Sequence, residues 1–111
     1  MYRGDVYLVD LTKGIGSEQE GFRPCLIVQN DVGNKFSPTT IICPITKHKK
    51  KFDKTHVQIE FLSYPSTILC EQIRAIDKRR IKNKVGEVPE DVMKLVDIKI
   101  LVSLGIDLGG V

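Results

Sequence analysis

Arg23 and Thr46 are the residues of this chain best situated to do chemistry. Arg23 stands directly before Pro24 and the apolar run Cys25-Leu26-Ile27-Val28, at the mouth of what reads as a buried strand. Proline suits the first residue of a strand, where its missing N–H costs no ladder bond. Ahead of it, Gly16-Ser17-Glu18-Gln19-Glu20-Gly21 is a polar loop whose two glycines supply the backbone freedom such a loop needs. An arginine fixed beside that loop is positioned to grip an anion. It is a poor base at neutral pH, but its paired N–H donors suit a phosphorane-like transition state. Thr46 ends a later apolar run, where the chain breaks out into Lys47 and a basic loop. A hydroxyl at such an exit point can donate to a phosphate or relay a proton.

Other chemistries find little support. His48 and His56 could form an acid–base pair, yet His48 lies in a lysine run that favours its neutral form and His56 opens a strand. There is no phosphate-binding or dinucleotide glycine motif, no Cys-x-x-Cys and no Gly-x-Ser-x-Gly elbow. RNA carries its own nucleophile in the 2′-OH, so a protein need only position the phosphodiester and stabilise charge. Metal-free RNA cleavage is therefore within reach of this set, whereas DNA would be left intact.

The elements that must carry these residues follow from periodicity. Gly4–Leu11 alternates as a first strand with Val6, Leu8 and Leu11 inward, and Pro24–Gln29 is a second strand covered on both faces. Asn30–Lys35 reads as a turn or short 3₁₀ connection. Thr39–Thr46 is a third strand, in which Pro44 predicts an edge position or a bulge. His56–Phe61 alternates strictly, Thr67–Arg74 reads as a fifth strand, and a short sixth is expected around Arg80–Val85. Pro89-Glu90-Asp91 opens a helix with proline at its first position and acids against the dipole, and Gly105 stops it. Val92, Met93, Val96, Ile100 and Leu104 fall within an arc of about 120°. Leu95, Ile98 and Val102 form a second apolar stripe that a chain this small has nothing to cover, which points to a partner subunit. The sum is a small antiparallel, barrel-like sheet with a helical tail, in one domain spanning 1–111.

Composition fits that picture. The 111 residues, 41% hydrophobic with mixed charge, describe a globular chain with one modest core. No run is long enough to span a bilayer, and residues 1–5 lack a signal-peptide core, so the expectation is a cytoplasmic protein without a membrane. Cys25, Cys43 and Cys70 each sit in an apolar run, without metal-like spacing, and read as buried thiols. Of 17 Lys and Arg, five fall in Lys47–Lys54 and six in Arg74–Lys84, giving either two solvated segments or a channel for a polyanion.

A set of short motifs also occurs in order: Arg3-Gly4-Asp5-Val6-Tyr7, Gly16-Ser17-Glu18-Gln19, Arg23-Pro24, Val28-Gln29-Asn30-Asp31, Ser37-Pro38-Thr39, Pro44-Ile45-Thr46, Thr55-His56-Val57 and Glu71-Gln72-Ile73-Arg74. In these the chain resembles the MazF/PemK family, the toxin halves of bacterial type II toxin–antitoxin pairs. The resemblance implies an SH3-like barrel with a C-terminal helix, assembled as a homodimer. It implies a metal-independent, cofactor-free, sequence-specific endoribonuclease that cuts single-stranded mRNA and leaves a 2′,3′-cyclic phosphate. The family's catalytic arginine falls on Arg23 and its catalytic threonine on Thr46. Its base-reading positions fall on Ser17, Glu18 and Gln19 and on Glu71 and Gln72, with Asn30, Lys47, His56 and Arg74 as further expected RNA contacts. The implied partner is a MazE-like antitoxin with an acidic, disordered tail. Glu20 stands where close relatives usually carry glycine, and the Lys47–Lys54 loop is unusually basic; both bear on which bases are read. The other reading is a non-catalytic binding module, as in the gyrase-poisoning toxins of the CcdB type that share this fold.

Overall fold

The structure, a computed structural model, describes residues 1–47, 54–60, 63–107 and 109. Its strands are β1 (Asp5–Asp10), β2 (Phe22–Ile27), β3 (Thr39–Thr46), β4 (His56–Ile59), β5 (Ser66–Leu69), β6 (Arg74–Asp77) and β7 (Ile81–Glu87). They are joined by two α-helices, α1 (Asp31–Phe36) and α2 (Glu90–Ser103). Every strand pairing is antiparallel, in the order β4-β5-β3-β2-β1-β7, with β6 also on β3. Among the described residues β4 and β7 do not pair with each other, so the ladder stays open.

β3 organises the sheet because it serves two partners along one side. Its first half, Thr39–Ile42, pairs with β6, and its end, Ile45–Thr46, pairs with β5. Pro44 falls between them. It is buried and sits in mid-sheet opposite Cys25 of β2, not at the expected edge or bulge. The Val28 N–H donates to the Ile41 carbonyl, and strand alternation then turns the Pro44 nitrogen away from β2. Its missing donor thus faces the gap where β3 changes partner, and no ladder bond is lost.

The same gap explains why Thr67–Arg74 is not one strand. Ile45 faces Ile68 whereas Ile42 faces Arg74, so three steps back on β3 cost six steps on the partner chain. The three surplus residues are a 3₁₀ turn, Cys70–Gln72, between β5 and β6. Asn30–Lys35 also differs from expectation, because Asn30 caps a helix: its Oδ1 accepts the Gly33 N–H at 2.8 Å. Strand β2 begins at Phe22, two residues early, and Leu8 is only half-buried while Val9 is fully buried.

Two apolar cores lie on the two faces of the sheet. The larger gathers Val6, Leu26, Cys43, Ile45, Val57 and Ile68 under Met93 and Val96 of α2. The smaller holds Val9, Leu11, Cys25, Ile27, Ile42 and Ile76. All three cysteines are free and buried. Burial pushes the Cys25 thiol up to about 12, and a hydrogen bond with Cys70, together with burial, raises that of Cys43. These are inert core thiols.

Pro89 is the N-cap of α2 and not its first helical residue. At the other end Gly105, at φ +71°, donates to the Val102 carbonyl while Ile106 donates to that of Leu101, a Schellman arrangement. Arg3 ties α2 to the sheet by pairing with Asp97 and donating to the Val28 carbonyl at 3.1 Å. Leu95, Ile98 and Val102 stay 38–45% exposed, and Leu104, expected on the covered stripe, is exposed as well. No helix among the described residues is long and apolar enough to cross a membrane.

Candidate active site at the strand ends

The start of β2 and the end of β3 bring the two sequence-selected residues together. Their pairing runs from Ile27–Ile42 to Cys25–Pro44, and Arg23, two residues before Cys25, and Thr46, two residues after Pro44, stand at the same end of the paired strands. Because side chains alternate, Arg23, Cys25, Pro44 and Thr46 share one face. Cys25 and Ile42 anchor that face in the smaller core, so the strand ends are rigid where the chemistry is expected. Arg23 is half-buried, and its Nε donates to the Glu20 carbonyl at 3.0 Å. Among the described residues its terminal nitrogens have no hydrogen-bond partner, leaving a donor fork unused by the fold. Thr46 is only 4% exposed and pairs with Thr67 of β5.

The 3₁₀ turn supplies the facing wall. It emerges beside Pro44 and, with the loop after β1, encloses a cleft of about 270 Å³ lined by Glu18, Gln19, Pro44, Glu71, Gln72 and Arg74. Within it Glu71 is held by His56, whose Nε2 lies 2.6 Å from the carboxylate. His56 is itself buried in β4, so it backs the wall and does not face a substrate. Gln72 reaches the opposite way: its Oε1 accepts the Gln19 N–H at 3.1 Å and its Nε2 donates to the Ser17 carbonyl at 3.2 Å. Ser17 and Glu18 are exposed at the loop tip.

That loop is built, not slack. Leu11 donates to the Gly21 carbonyl and Gly21 to that of Thr12, at 2.9 and 2.7 Å, with φ of +72° at Gly21. The unusual Glu20 accepts the Gly14 N–H at 2.9 Å, so its carboxylate closes the loop internally.

Charge is distributed less simply than the sequence counts imply. Arg79 grips Asp77 through two bonds and holds its carboxyl down to about 2, while Lys84 bonds Glu87 and Asp5. Lys78 is spent on the Asn34 carbonyl. Arg74 is exposed at the cleft and, among the described residues, has no acidic partner.

Two expected contacts stand apart from this cleft. Lys47 is exposed on the other side of the sheet, its Nζ 5.5 Å from the Tyr64 ring. There it joins Phe22, Pro24 and Tyr64 around a second cleft of about 410 Å³. Asn30 lies past the far end of β2, roughly 20 Å of strand from Arg23. Its side-chain oxygen is engaged in the α1 cap. His48 and Lys49–Lys51 lie outside the described residues. Sequence reasoning passes over the exposed Phe22 and the half-buried Tyr64, two aromatic side chains next to the strand ends that bear Arg23 and Thr46; the adjacency of Phe22 to Arg23 is the available signal. Among the described residues no cluster of three His, Cys, Asp or Glu side chains is arranged to hold a metal ion.

Comparison with known proteins gives the family. The profile of the PemK-like, MazF-like toxin of type II toxin–antitoxin system matches residues 2–104, and the chain belongs to this family. It is 46% identical over 109 residues to the endoribonuclease EndoA of Bacillus subtilis (strain 168), covering 94% of each chain. It is 50% identical over 111 residues to the endoribonuclease MazF of Staphylococcus saprophyticus subsp. saprophyticus, covering 96% of this chain and 92% of that one. Two solved structures from Deinococcus radiodurans share its fold. MazF (Form-I) has a TM-score of 0.84 at 27% identity, covering 96% of this chain and 97% of that one. MazE–MazF (Form-II) gives 0.77 at 26%, with the same coverage.

Proposed function

We propose that this chain is a sequence-specific endoribonuclease toxin that cuts single-stranded mRNA without a metal ion. The reading is supported by the β2–β3 pairing, which brings the strand ends bearing Arg23 and Thr46 to one end of the sheet, and by the cleft beside Pro44 walled by amides and carboxylates. A single-stranded RNA can splay its bases against such a wall, whose groups suit Watson–Crick edges. The ribose 2′-OH then attacks the adjacent phosphorus and gives up its proton as the new P–O bond forms, and the bond to the 5′-oxygen breaks as that oxygen takes up a proton, so the two transfers cancel. The products are a 2′,3′-cyclic phosphate and a 5′-OH. Arg23 donates to the non-bridging oxygens as charge builds on them, and Thr46 donates to the same phosphate. Glu71 and Arg74 border the base, with His56 behind Glu71.

The test is cleavage of a long single-stranded RNA in EDTA with mapping of the ends. Discrete cuts bearing cyclic phosphate are expected from the wild type, and from Thr46→Ala a rate at least about ten-fold lower. Intact RNA from folded protein would overturn the reading. The alternative of a CcdB-type gyrase-binding module draws no support from relatives that are MazF-kind toxins and endoribonucleases.

The same reading includes an SH3-like barrel working as a homodimer and restrained by a MazE-like antitoxin. Support for the dimer is the uncovered stripe of Leu95, Ile98 and Val102 on α2. Ile98→Asp should therefore sediment at the mass of one chain while the wild type sediments at two; two chains for both variants would place the interface elsewhere.

A further inference from the structure

Gln72 was expected to read a base, yet its side-chain amide is already committed on both ends. Its oxygen accepts the Gln19 N–H and its nitrogen donates to the Ser17 carbonyl, at 3.1 and 3.2 Å. These are backbone groups of the loop 53 and 55 residues away in sequence. We infer that Gln72 is a positioning residue: its two-way amide clamp fastens the Ser17–Gln19 loop to the 3₁₀ turn and so fixes the spacing of the base-selecting wall. The inference rests on the nuclease reading for its consequence, but not for its existence in the free protein.

Three features support it. Among the described residues the loop's other bonds are internal or at its base, namely Glu18 N–H on the Ile15 carbonyl, those among Leu11, Thr12 and Gly21, Glu20 on Gly14 and Arg23 on the Glu20 carbonyl, so Gln72 is what ties its tip to the 3₁₀ turn. The turn is anchored separately, because His56 in β4 grips the neighbouring Glu71 at 2.6 Å. A clamp from a fixed turn to a loop tip therefore sets the width between Glu18 and Gln19 on one side and Glu71 on the other. Glutamine suits a two-way clamp because an amide presents an acceptor and a donor from one planar group, whereas a carboxylate of the same shape presents acceptors alone.

A base reader and a clamp predict different behaviour. Removing a base reader relaxes the cut-site preference at one nucleotide. Removing the clamp frees the loop before any RNA arrives and relaxes the preference at every nucleotide the wall touches. It also raises KM more than it lowers kcat, because Arg23 and Thr46 are held by the strands.

The experiment pairs backbone amide exchange on the RNA-free protein with sequencing of the cut sites, for Gln72→Ala and Gln72→Glu. In Gln72→Ala the Gln19 amide is expected to exchange at least ten-fold faster, with at least two positions of the cut site losing preference. Gln72→Glu keeps the acceptor for Gln19 but sets a carboxylate against the Ser17 carbonyl, and should fall between the two. Unchanged Gln19 exchange in Gln72→Ala overturns the clamp whatever the nuclease does. Relaxation confined to one nucleotide overturns it in favour of direct reading. Faster exchange in Gln72→Ala alongside a folded wild type that cuts no RNA would uphold the clamp and sink the nuclease reading instead.

Discussion

Arg23→Ala is expected to lower RNA cleavage by at least about 10³-fold while the protein still folds. Removing a single donor to a developing oxyanion costs about 10²–10³ in rate, and Arg23 offers a fork of them. Its terminal nitrogens have no partner among the described residues, so they are available for the phosphate and are not consumed by structure. The side chain belongs to neither apolar core. What the fold loses is the bond from Nε to the Glu20 carbonyl, worth about 0.5–1.5 kcal/mol. Arg23→Lys should recover little, because an ammonium is a point charge and cannot grip two phosphate oxygens at once. Single-turnover cleavage beside a thermal melt checks this. Full activity in a folded Arg23→Ala protein would end the role assigned to this residue.

Ile68→Ala should be the most damaging change away from the site, costing about 2–5 kcal/mol. Ile68 is fully buried, faces Ile45 on one side and Val57 on the other, and belongs to the core beneath α2. Truncation opens a cavity between β3, β5 and the edge strand β4, and of these β3 and β5 are fixed by ladders on both sides, so the gap cannot fully close. Since small domains have only about 5–15 kcal/mol in total, this one change removes a large share. Urea unfolding is the check: the midpoint should fall with the slope preserved. A loss under about 1 kcal/mol would mean the core repacks around the gap.

How far these residues can be read from sequence depends on whether local pattern or long-range pairing decides them. The helix α2 and most strands are legible, since periodicity, Pro89 and Gly105 are local signals. The Cys70–Gln72 turn is not. Its apolar-then-polar run looks like a continuous strand, and only the change of partner along β3 forces three residues out of the ladder. Pro44 misleads for the same reason, because whether its missing donor matters depends on what lies beside it. At Asn30 the glycine three residues on resembles a turn, but a side-chain cap outweighs it. Arg23 and Thr46 can be selected as strand-end residues, but their standing at the same end of the sheet needs the β2–β3 register. The contact of His56 with Glu71, fifteen residues apart, leaves no trace in the pattern.

The looped-out turn has an evolutionary consequence. Glu71 and Gln72 sit on residues surplus to both ladders, so their side chains can change without shifting β5, β6 or any core contact those strands make. Arg23 is held by its pairing with Val9 of β1 and Thr46 by its pairing with Thr67 of β5, and no turn residue takes part in either pair. On the proposed roles, variation in what is recognised is thereby uncoupled from the groups that cut, and a lineage of such toxins can drift in target while keeping one reaction.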